Sequence, residues 1–319
     1  MIVHTGEALI DFIPTAASDG SEAFRPSPGG SPYNSSIAAA RLGVPVTFLG
    51  KLSRDFFGDQ LLARLENNGV ATDLVLRSEA PSTLAFVKKN AAGEARYAFF
   101  ADGAADRNLL PEDVPSFDAG VQAIVFGSIS VIPDPVGSTV LDLVEREAKA
   151  RVVSFDPNIR DGLASDPEDY RKRVARGIAA SSIVKVSDED LEWITGNSDL
   201  EAGAAALRAQ GPLLVVVTAG AEGALATHEG GSVRIDSVPT TVSDTIGAGD
   251  SFHAAQLSWL YRAQLLSQDG IRSLTADQVR SMLQFAATVA SRTCSRAGAD
   301  PPYISELDSD VGRSANATS

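Results

Sequence analysis

From about residue 121, short apolar runs alternate with longer segments whose apolar residues recur at helical spacing. This alternation is typical of parallel strands joined by helical crossovers, with helices covering both faces of the sheet. We therefore predict an α/β fold of three layers around a mostly parallel central sheet. The predicted strands are residues 123–126, 152–155, 183–186 and 213–217, and the predicted helices between them are residues 136–149, 168–179, 188–195 and 201–209.

Polar and flexible segments follow each of these four strands. In open parallel sheets, ligands bind beyond the carboxyl ends of the strands. A single segment of this kind is more often an ordinary turn, but four in series favour a cleft for a nucleotide and a substrate. The segments are residues 127–130, 156–160, 185–188 and 218–223.

The stretch from Asp244 to Asp250 carries the strongest chemical signal. Gly247 and Gly249 let the backbone approach an anion closely, and the predicted helix over residues 251–266 would add free N–H groups and its dipole. A carboxylate binds phosphate poorly, so Asp250 fits better as a base that accepts a hydroxyl proton during phosphoryl transfer. The alternative is a plain helix cap, since Asp is favoured at that position.

A small second sheet is predicted outside the main fold. Residues 12–28 lack a helical period, and residues 83–88 and 95–100 alternate around a turn at 91–94, which indicates a hairpin. We expect this sheet to cover the site as a lid. The predicted lid is residues 12–29 and 83–101, the main domain is residues 1–11, 30–82 and 102–307, and a flexible tail covers residues 308–319.

Candidate ligand-binding residues lie near the N-terminus and in a late helix. Asp11, just past the first strand, suits sugar hydroxyls because a carboxylate accepts hydrogen bonds. Asn34 stands before a predicted helix at residues 35–42, where a capping role is the commoner one. In a predicted helix over residues 274–297, small residues would form an apolar slot for a flat base, although ordinary packing is equally consistent with them. These residues are Ala286, Ala287, Val289 and Ala290.

Composition excludes several classes of protein. The 319 residues carry a formal net charge of -14, which argues against nucleic acid or an anionic membrane as partner. The single cysteine, Cys294, excludes an intrachain disulfide and a cysteine-based metal site. The start lacks a basic region and no apolar run reaches membrane-spanning length, so we expect a cytoplasmic protein. The first strand is not followed by G-x-G-x-x-G, so a dinucleotide enzyme is disfavoured.

These motifs resemble the two signatures of the ribokinase (PfkB-type) family of sugar kinases. The first is matched by Gly29, Gly30, Asn34, Gly43 and Gly50, and the second by residues 244–250. The resemblance covers residues 1–307, and within the family the chain is most similar to the fructokinases. That similarity lies in residues 6–12, 127–130, 156–160 and 183–188.

The resemblance implies a ribokinase-like fold and an ATP-dependent kinase that phosphorylates the 6-hydroxyl of fructose, with Mg²⁺ and, as in many members of the family, K⁺ as ions. It assigns Asp250 as general base, the N–H groups of Gly247, Ala248 and Gly249 as anion hole, and Arg160 as a cation beside the phosphate path. The sugar would be held by Asp11, Gly30, Asn34 and Asp250. The nucleotide would be held by Lys185, Asp188, Thr218, Gly220, Gly223 and Gly249.

A monovalent cation and a second subunit are also implied. The cation would contact Asp244, Ile246, Thr293, Arg296 and Gly298, although Asp244 is as well suited to capping its own turn. The subunits of a homodimer would meet through the lid.

Two departures from the family pattern keep other substrates open. Lys185 to Asp188 replaces the Asn-x-x-Glu often found near the magnesium region, and the arginine of many fructokinases is missing after Phe99 and Phe100. Kinases of 2-keto-3-deoxygluconate, ribose or a nucleoside are the alternatives, and an inactive sugar-binding sensor is a third class. The intact Asp250 and glycine turn argue against the sensor.

Overall fold

Thirteen strands and nine α-helices make up the part of the chain that the computed structural model describes, residues 1–89 and 95–307. The strands are β1 (Ile2–Thr5), β2 (Leu9–Ala16), β3 (Glu22–Gly29), β4 (Val46–Ser53), β5 (Val75–Ser78), β6 (Thr83–Lys89), β7 (Ala95–Phe100), β8 (Ala123–Gly127), β9 (Val152–Asp156), β10 (Ile183–Ser187), β11 (Leu214–Thr218), β12 (Ala224–His228) and β13 (Gly231–Ile235). The helices are α1 (Ser31–Arg41), α2 (Phe56–Asn67), α3 (Val136–Glu147), α4 (Pro167–Ala180), α5 (Asp188–Thr195), α6 (Leu200–Arg208), α7 (Ala248–Arg262), α8 (Gln268–Arg272) and α9 (Ala276–Cys294).

The central sheet has nine strands in the order β13-β12-β11-β10-β9-β8-β1-β4-β5. The pairs from β11 through to β5 are parallel, and β12 and β13 continue the sheet antiparallel at one edge. The four predicted strands appear as β8, β9, β10 and β11, with ends within one residue of those expected. The prediction of a mostly parallel central sheet is confirmed.

Helices cover both faces of this sheet because its strands are apolar on both sides. In β8, Ala123 and Val125 belong to one hydrophobic core, and Ile124 and Phe126 belong to the other. The first core is closed by α1, α2, α7 and α9, and the second by α3, α4, α5 and α6. The three-layer arrangement is therefore confirmed, and it follows from the two-residue period of side chains along a strand.

Local sequence signals explain where the helices begin and end. Pro167 opens α4 behind Asp166, whose carboxylate accepts the N–H groups of Glu168 and Asp169. Gly196 ends α5 in the left-handed region, at φ 69°. The four helices predicted between residues 136 and 209 have ends within two residues of those expected.

The small sheet contains four strands in the order β3-β2-β6-β7. The two strands of the predicted hairpin pair antiparallel as β6 and β7, whereas the predicted turn at 91–94 and the tail at 308–319 lie outside the described residues. The small sheet starts at Leu9, three residues before the predicted boundary. Asp11 therefore lies within β2 of the small sheet, and its placement just past a main-sheet strand was wrong.

Other boundaries also differ from expectation. Both α1 and α7 begin earlier than predicted, so Asn34 lies in the first turn of a helix and does not cap it. Residues 232–238 alternate in the sequence, a pattern that predicts a late strand, and the structure has β13 there. The strand before it, β12, is not predicted by the pattern. No helix within the described ranges is long and apolar enough to cross a membrane.

Candidate active site

Two cavities lie where β8, β9, β10 and β11 end, and they meet at the glycine turn. The polar cavity, of about 330 Å³, is lined by Glu7, Asp11, Asp156, Arg160, Lys185 and Asp250 among others. The apolar cavity, of about 420 Å³, is lined by Val238, Val242, Phe252, Ala287 and Ala290 among others. Thr245 and Gly249 line both. Each of the four predicted ligand segments contributes residues to one of these cavities.

Asp250 is held by the first turn of α1. Its Oδ1 accepts a hydrogen bond from the Ser31 hydroxyl at 2.6 Å, and its Oδ2 accepts one from Nδ2 of Asn34 at 3.0 Å. Burial raises the pKa of Asp250 to about 6, although these two hydrogen bonds oppose the shift. The carboxylate is thus fixed in orientation, ionised near neutral pH and more basic than an ordinary aspartate.

Glu7 holds the start of α1, where Ser31 lies, and the sequence analysis did not identify Glu7 as a site residue. It is 3% exposed, and its Oε1 accepts the N–H of Ser31 at 3.0 Å. Burial raises the pKa of Glu7 to about 8. Gly30, at φ 111°, lets the backbone before α1 lie close to the backbone of Glu7, since a Cβ at Gly30 would lie 2.6 Å from the Glu7 carbonyl oxygen. The sequence does contain a signal for Glu7, because a carboxylate there interrupts the mostly apolar residues that start the chain.

Asp11 and Asp250 face the same polar cavity. Burial, and then the charge of Asp250, raise the pKa of Asp11 to about 6. The predicted sugar-binding residues Gly30 and Asn34 line this cavity as well. Two carboxylates and an amide converging on one cavity supply several hydrogen-bond partners for a polyol.

The glycine turn presents unpaired donors at the start of α7. Gly247 caps the helix in the left-handed region, at φ 76°. Within the described residues, the N–H groups of Gly247, Gly249 and Asp250 have no acceptor. Ala248, predicted as a donor to an anion, instead donates to the Thr245 carbonyl at 3.2 Å. The free donors therefore include Asp250 in place of the predicted Ala248.

Lys185 and Asp156 form a buried ion pair beneath the turn. Nζ of Lys185 lies 2.9 Å from Oδ2 of Asp156, with side chains only 6% and 4% exposed. A Cβ on Gly249 would lie 3.0 Å from this Nζ. Lys185 lines the polar cavity and not the apolar one, so any contact with the nucleotide would be at the phosphate end, beside Gly249.

Asp188 and Arg160 lie farther out. Asp188 is exposed at the first position of α5 and lines neither cavity, so its predicted role beside the nucleotide is not supported by its position. Two residues on, buried Asp190 accepts the N–H of Ile159 at 2.9 Å and so holds the 156–160 segment. Arg160 is exposed on the rim of the polar cavity.

The apolar cavity contains the remaining predicted nucleotide residues, Thr218, Gly220 and Gly223. Gly223 must lack a side chain, because a Cβ at its φ of 90° would lie 2.1 Å from the Ile235 carbonyl oxygen. Ala287 and Ala290 of α9 line the cavity, whereas Ala286 and Val289, named with them for the apolar slot, are buried in the hydrophobic core instead.

The residues predicted to bind a monovalent cation meet beside the turn. Oδ1 of Asp244 accepts the N–H of Ile246 at 3.1 Å, and Oδ2 accepts the N–H of Gly298 at 2.8 Å. Within the described part of the chain, the carbonyl groups of Ile246 and Arg296 accept no hydrogen bond. Thr293 is buried, and its hydroxyl donates to Ser251 at 2.9 Å. Among residues 1–89 and 95–307, no cluster of three or more His, Cys, Asp or Glu is placed to hold a metal ion.

Comparisons with known proteins agree with this geometry. Residues 1–306 match the pfkB family carbohydrate kinase. The fructokinase of Rhizobium leguminosarum bv. trifolii is 41% identical over 281 residues, which cover 88% of this chain and 86% of that protein. A fructokinase from Xylella fastidiosa with bound ATP superposes with a TM-score of 0.87 at 28% identity, over 98% of each chain. A double mutant of Vibrio cholerae O395 fructokinase, with fructose, ADP and potassium bound, gives 0.83 at 27% identity over 93% of each chain.

A base in a polar cavity, an anion site at a helix start and an adjoining apolar cavity define a phosphotransferase that acts on an alcohol group. The chain belongs to the pfkB family of carbohydrate kinases. It is a sugar kinase with the ribokinase-like fold.

Proposed function

We propose that this sugar kinase transfers the γ-phosphoryl group of ATP to the 6-hydroxyl of fructose. The observation that carries the proposal is the meeting of the polar and apolar cavities at Thr245 and Gly249, with Asp250 on the polar side. A sugar in the first cavity and a nucleotide in the second would place hydroxyl and phosphate on either side of the glycine turn. The similarity to several fructokinases supports fructose as the sugar.

Asp250 would accept the proton of the attacking hydroxyl. Ser31 and Asn34 fix its two oxygens, and each oxygen retains a lone pair for the substrate. The free N–H groups of Gly249 and Asp250, with the positive end of the α7 dipole, would stabilise charge on the transferred phosphoryl group. Arg160 on the cavity rim would offset charge that moves between oxygens during transfer.

Magnesium would enter with the nucleotide, because Mg²⁺ keeps several waters and is usually held by one or two carboxylates plus substrate phosphates. Asp156 fits this role better than exposed Asp188. Asp156 lines the polar cavity, and its Oδ1 is buried and has no hydrogen-bond partner among the described residues. When bound, the ion neutralises charge on the phosphates.

The activity should depend on pH through Asp250. Because burial places the pKa of this carboxyl at about 6, protonation should remove the base below about pH 6 rather than below about pH 4. We expect kcat/KM for the sugar to be level above pH 7 and to fall by about tenfold or more for each pH unit below 6. Asp11, with a pKa also near 6, faces the same cavity, so the profile reports both carboxyls together. A profile that stays level down to pH 4.5 in folded enzyme would contradict the assignment.

Asp11 should matter for the sugar and not for the nucleotide. Its replacement by alanine leaves cavity groups without partners, which costs roughly 1–3 kcal/mol per unmet group and lowers kcat/KM about 5- to 150-fold. Asp11→Asn keeps one acceptor oxygen and should lose less. ATP affinity, measured by calorimetry without sugar, should barely change in either variant. An equal loss of ATP affinity would show that Asp11 supports the fold instead.

We also propose that the small sheet closes over bound sugar as a lid and excludes water from the phosphate. Asp11 lies in β2, which pairs with β3 and β6, so sugar contacts would act directly on this sheet. Fructose should therefore raise the protection of β6 and β7 in hydrogen exchange. Unchanged exchange there, in protein shown to bind fructose, would refute closure.

Potassium should activate the enzyme. Asp244 and the unpaired carbonyls of Ile246 and Arg296 are hard oxygen ligands beside the turn, so a monovalent cation fits them, and it would help to fix the N–H groups of the turn toward phosphate. We expect higher activity with added potassium in tetramethylammonium buffer than without it. Asp244→Asn should weaken this response. Equal activity of the wild-type enzyme in both buffers would refute activation by potassium.

A homodimer through the lid is the proposed assembly in the cytoplasm. Six phenylalanine rings form a continuous set across the small sheet and the start of α2, and three of them, Phe24, Phe56 and Phe100, are 44%, 72% and 64% exposed. A second copy of the same surface would cover them by two-fold symmetry. Light scattering of the wild-type protein and of Phe56→Ser tests this, and a monomeric wild type would exclude it.

One assay tests the function as a whole. ADP release should be measured with fructose, ribose, 2-keto-3-deoxygluconate and a panel of nucleosides. We expect kcat/KM to be highest for fructose. Turnover of fructose no better than of the other substrates would refute the sugar assignment and leave the kinase standing, whereas no turnover of any substrate would favour the sensor.

A further inference from the structure

A third cavity, of about 280 Å³, lies between the small sheet and the loop that follows α9. Arg25 from β3, Arg41 from α1 and Arg64 from α2 line it, together with Asn68 and loop residues 297–300. We call it the arginine cavity. It shares no lining residue with the polar and apolar cavities.

The charge of this cavity contrasts with that of the whole chain. Three arginines face one aspartate, Asp300, in a protein whose formal net charge is -14. Arg41 is held rigidly, because Nε donates to Asn68 at 2.6 Å, Nη1 donates to Asp300 at 2.6 Å, and the guanidinium lies 4.6 Å from the centre of the Tyr303 ring. The guanidinium of Arg41 is therefore fixed in place at the cavity.

The other two arginines retain unused donors. Nη2 of Arg64 donates to the Ala299 carbonyl at 2.7 Å, whereas its accessible Nη1 has no acceptor within the described residues. The side chain of Arg25 is exposed and makes no ion pair or hydrogen bond in that part of the chain. Guanidinium groups match phosphate oxygens in geometry and charge, so these free donors suit a phosphate group.

We infer that the arginine cavity binds a phosphate group, either as inorganic phosphate or as the phosphate of a small monoester. Arg25 and Arg64 supply the donors, and Arg41 supplies fixed charge. A bound phosphate would join β3 of the small sheet to the 297–300 loop. That loop contacts the catalytic turn, since the N–H of Gly298 donates to Oδ2 of Asp244. A Cβ added at Gly247 would also lie 2.7 Å from the Cβ of Ala299. Occupancy of the cavity is thereby linked to the lid and to the turn.

Calorimetry with sugar and nucleotide absent tests the inference. Inorganic phosphate and glycerol 3-phosphate are titrated separately into the full chain at constant ionic strength, so that the two sources of the phosphate group are distinguished. We expect saturable binding of at least one probe. Arg25→Gln and Arg64→Gln should each weaken it about 10- to 100-fold, the worth of a charge-assisted contact. Bound probe should also raise the hydrogen-exchange protection of residues 22–29.

Arg262→Gln is the matched control, because Arg262 is exposed at the end of α7, away from this cavity, and its loss changes the net charge equally. It should leave the affinity unchanged. Arg25→Gln guards against misfolding, since the side chain of Arg25 has no ion pair or hydrogen bond in the described part of the chain and the backbone pairing of β3 is kept. Phosphate affinity that is equal in the wild type and both cavity variants would place the anion elsewhere and overturn the inference, as would no saturable binding of either probe. Neither result touches the proposed kinase activity, because ATP and sugar are absent from the assay.

Discussion

Replacing Asp250 with asparagine should lower kcat by about 10²- to 10⁴-fold, the usual contribution of a general base. The substitution keeps the shape of the side chain and removes its basicity. The affinity for sugar should change much less, because Ser31, Asn34 and Asp11 still line the polar cavity. Steady-state ADP release gives kcat, and calorimetry with sugar alone gives the affinity.

Ser31→Ala is the variant to compare with Asp250→Asn. It leaves the carboxylate of Asp250 in place and removes the 2.6 Å hydrogen bond to Oδ1, which helps to orient the base. We expect a loss clearly smaller than that of Asp250→Asn. If Asp250→Asn kept a kcat near that of the wild type, Asp250 would not be the base.

The sequence predicted those parts of the fold and the site that depend on local pattern. Four buried parallel strands are continuous apolar runs, and their ends are turns, so residues 123–218 could be assigned closely. The Asp244 to Asp250 stretch combines glycines, a helix start and a carboxylate, and this combination has few structural explanations. Its chemistry could therefore be anticipated before any contact was known.

What the sequence did not reveal depends on contacts between distant segments. Ser31 is one of many serines, and only folding brings it to Asp250, 219 residues away. Leu9 and Ile10 are apolar in either sheet, so pattern alone could not place β2 in the small one. Lys185 and Asp188 lie three residues apart, yet the first points under the glycine turn and the second is exposed. That difference arises because β10 ends and α5 begins between them.

Replacing Lys185 with methionine should lower the free energy of unfolding by about 3–5 kcal/mol, as measured by urea denaturation at pH 7. The Asp156 carboxylate would then be buried without its cation, 4% exposed and with one oxygen already unpartnered. Taking one partner from a buried ion pair is far more costly than replacing both. The double variant Lys185→Met, Asp156→Leu should therefore recover most of the lost stability.

Lys51→Met is the matched control, because Lys51 forms an ion pair with Asp113 in which both side chains are 17% exposed. Water reaches this pair, so its loss should cost only about 1 kcal/mol. A loss for Lys185→Met no larger than for Lys51→Met would mean that water or a neighbouring group neutralises Asp156. In that case the buried pair would not be the rigid support on which the glycine turn rests.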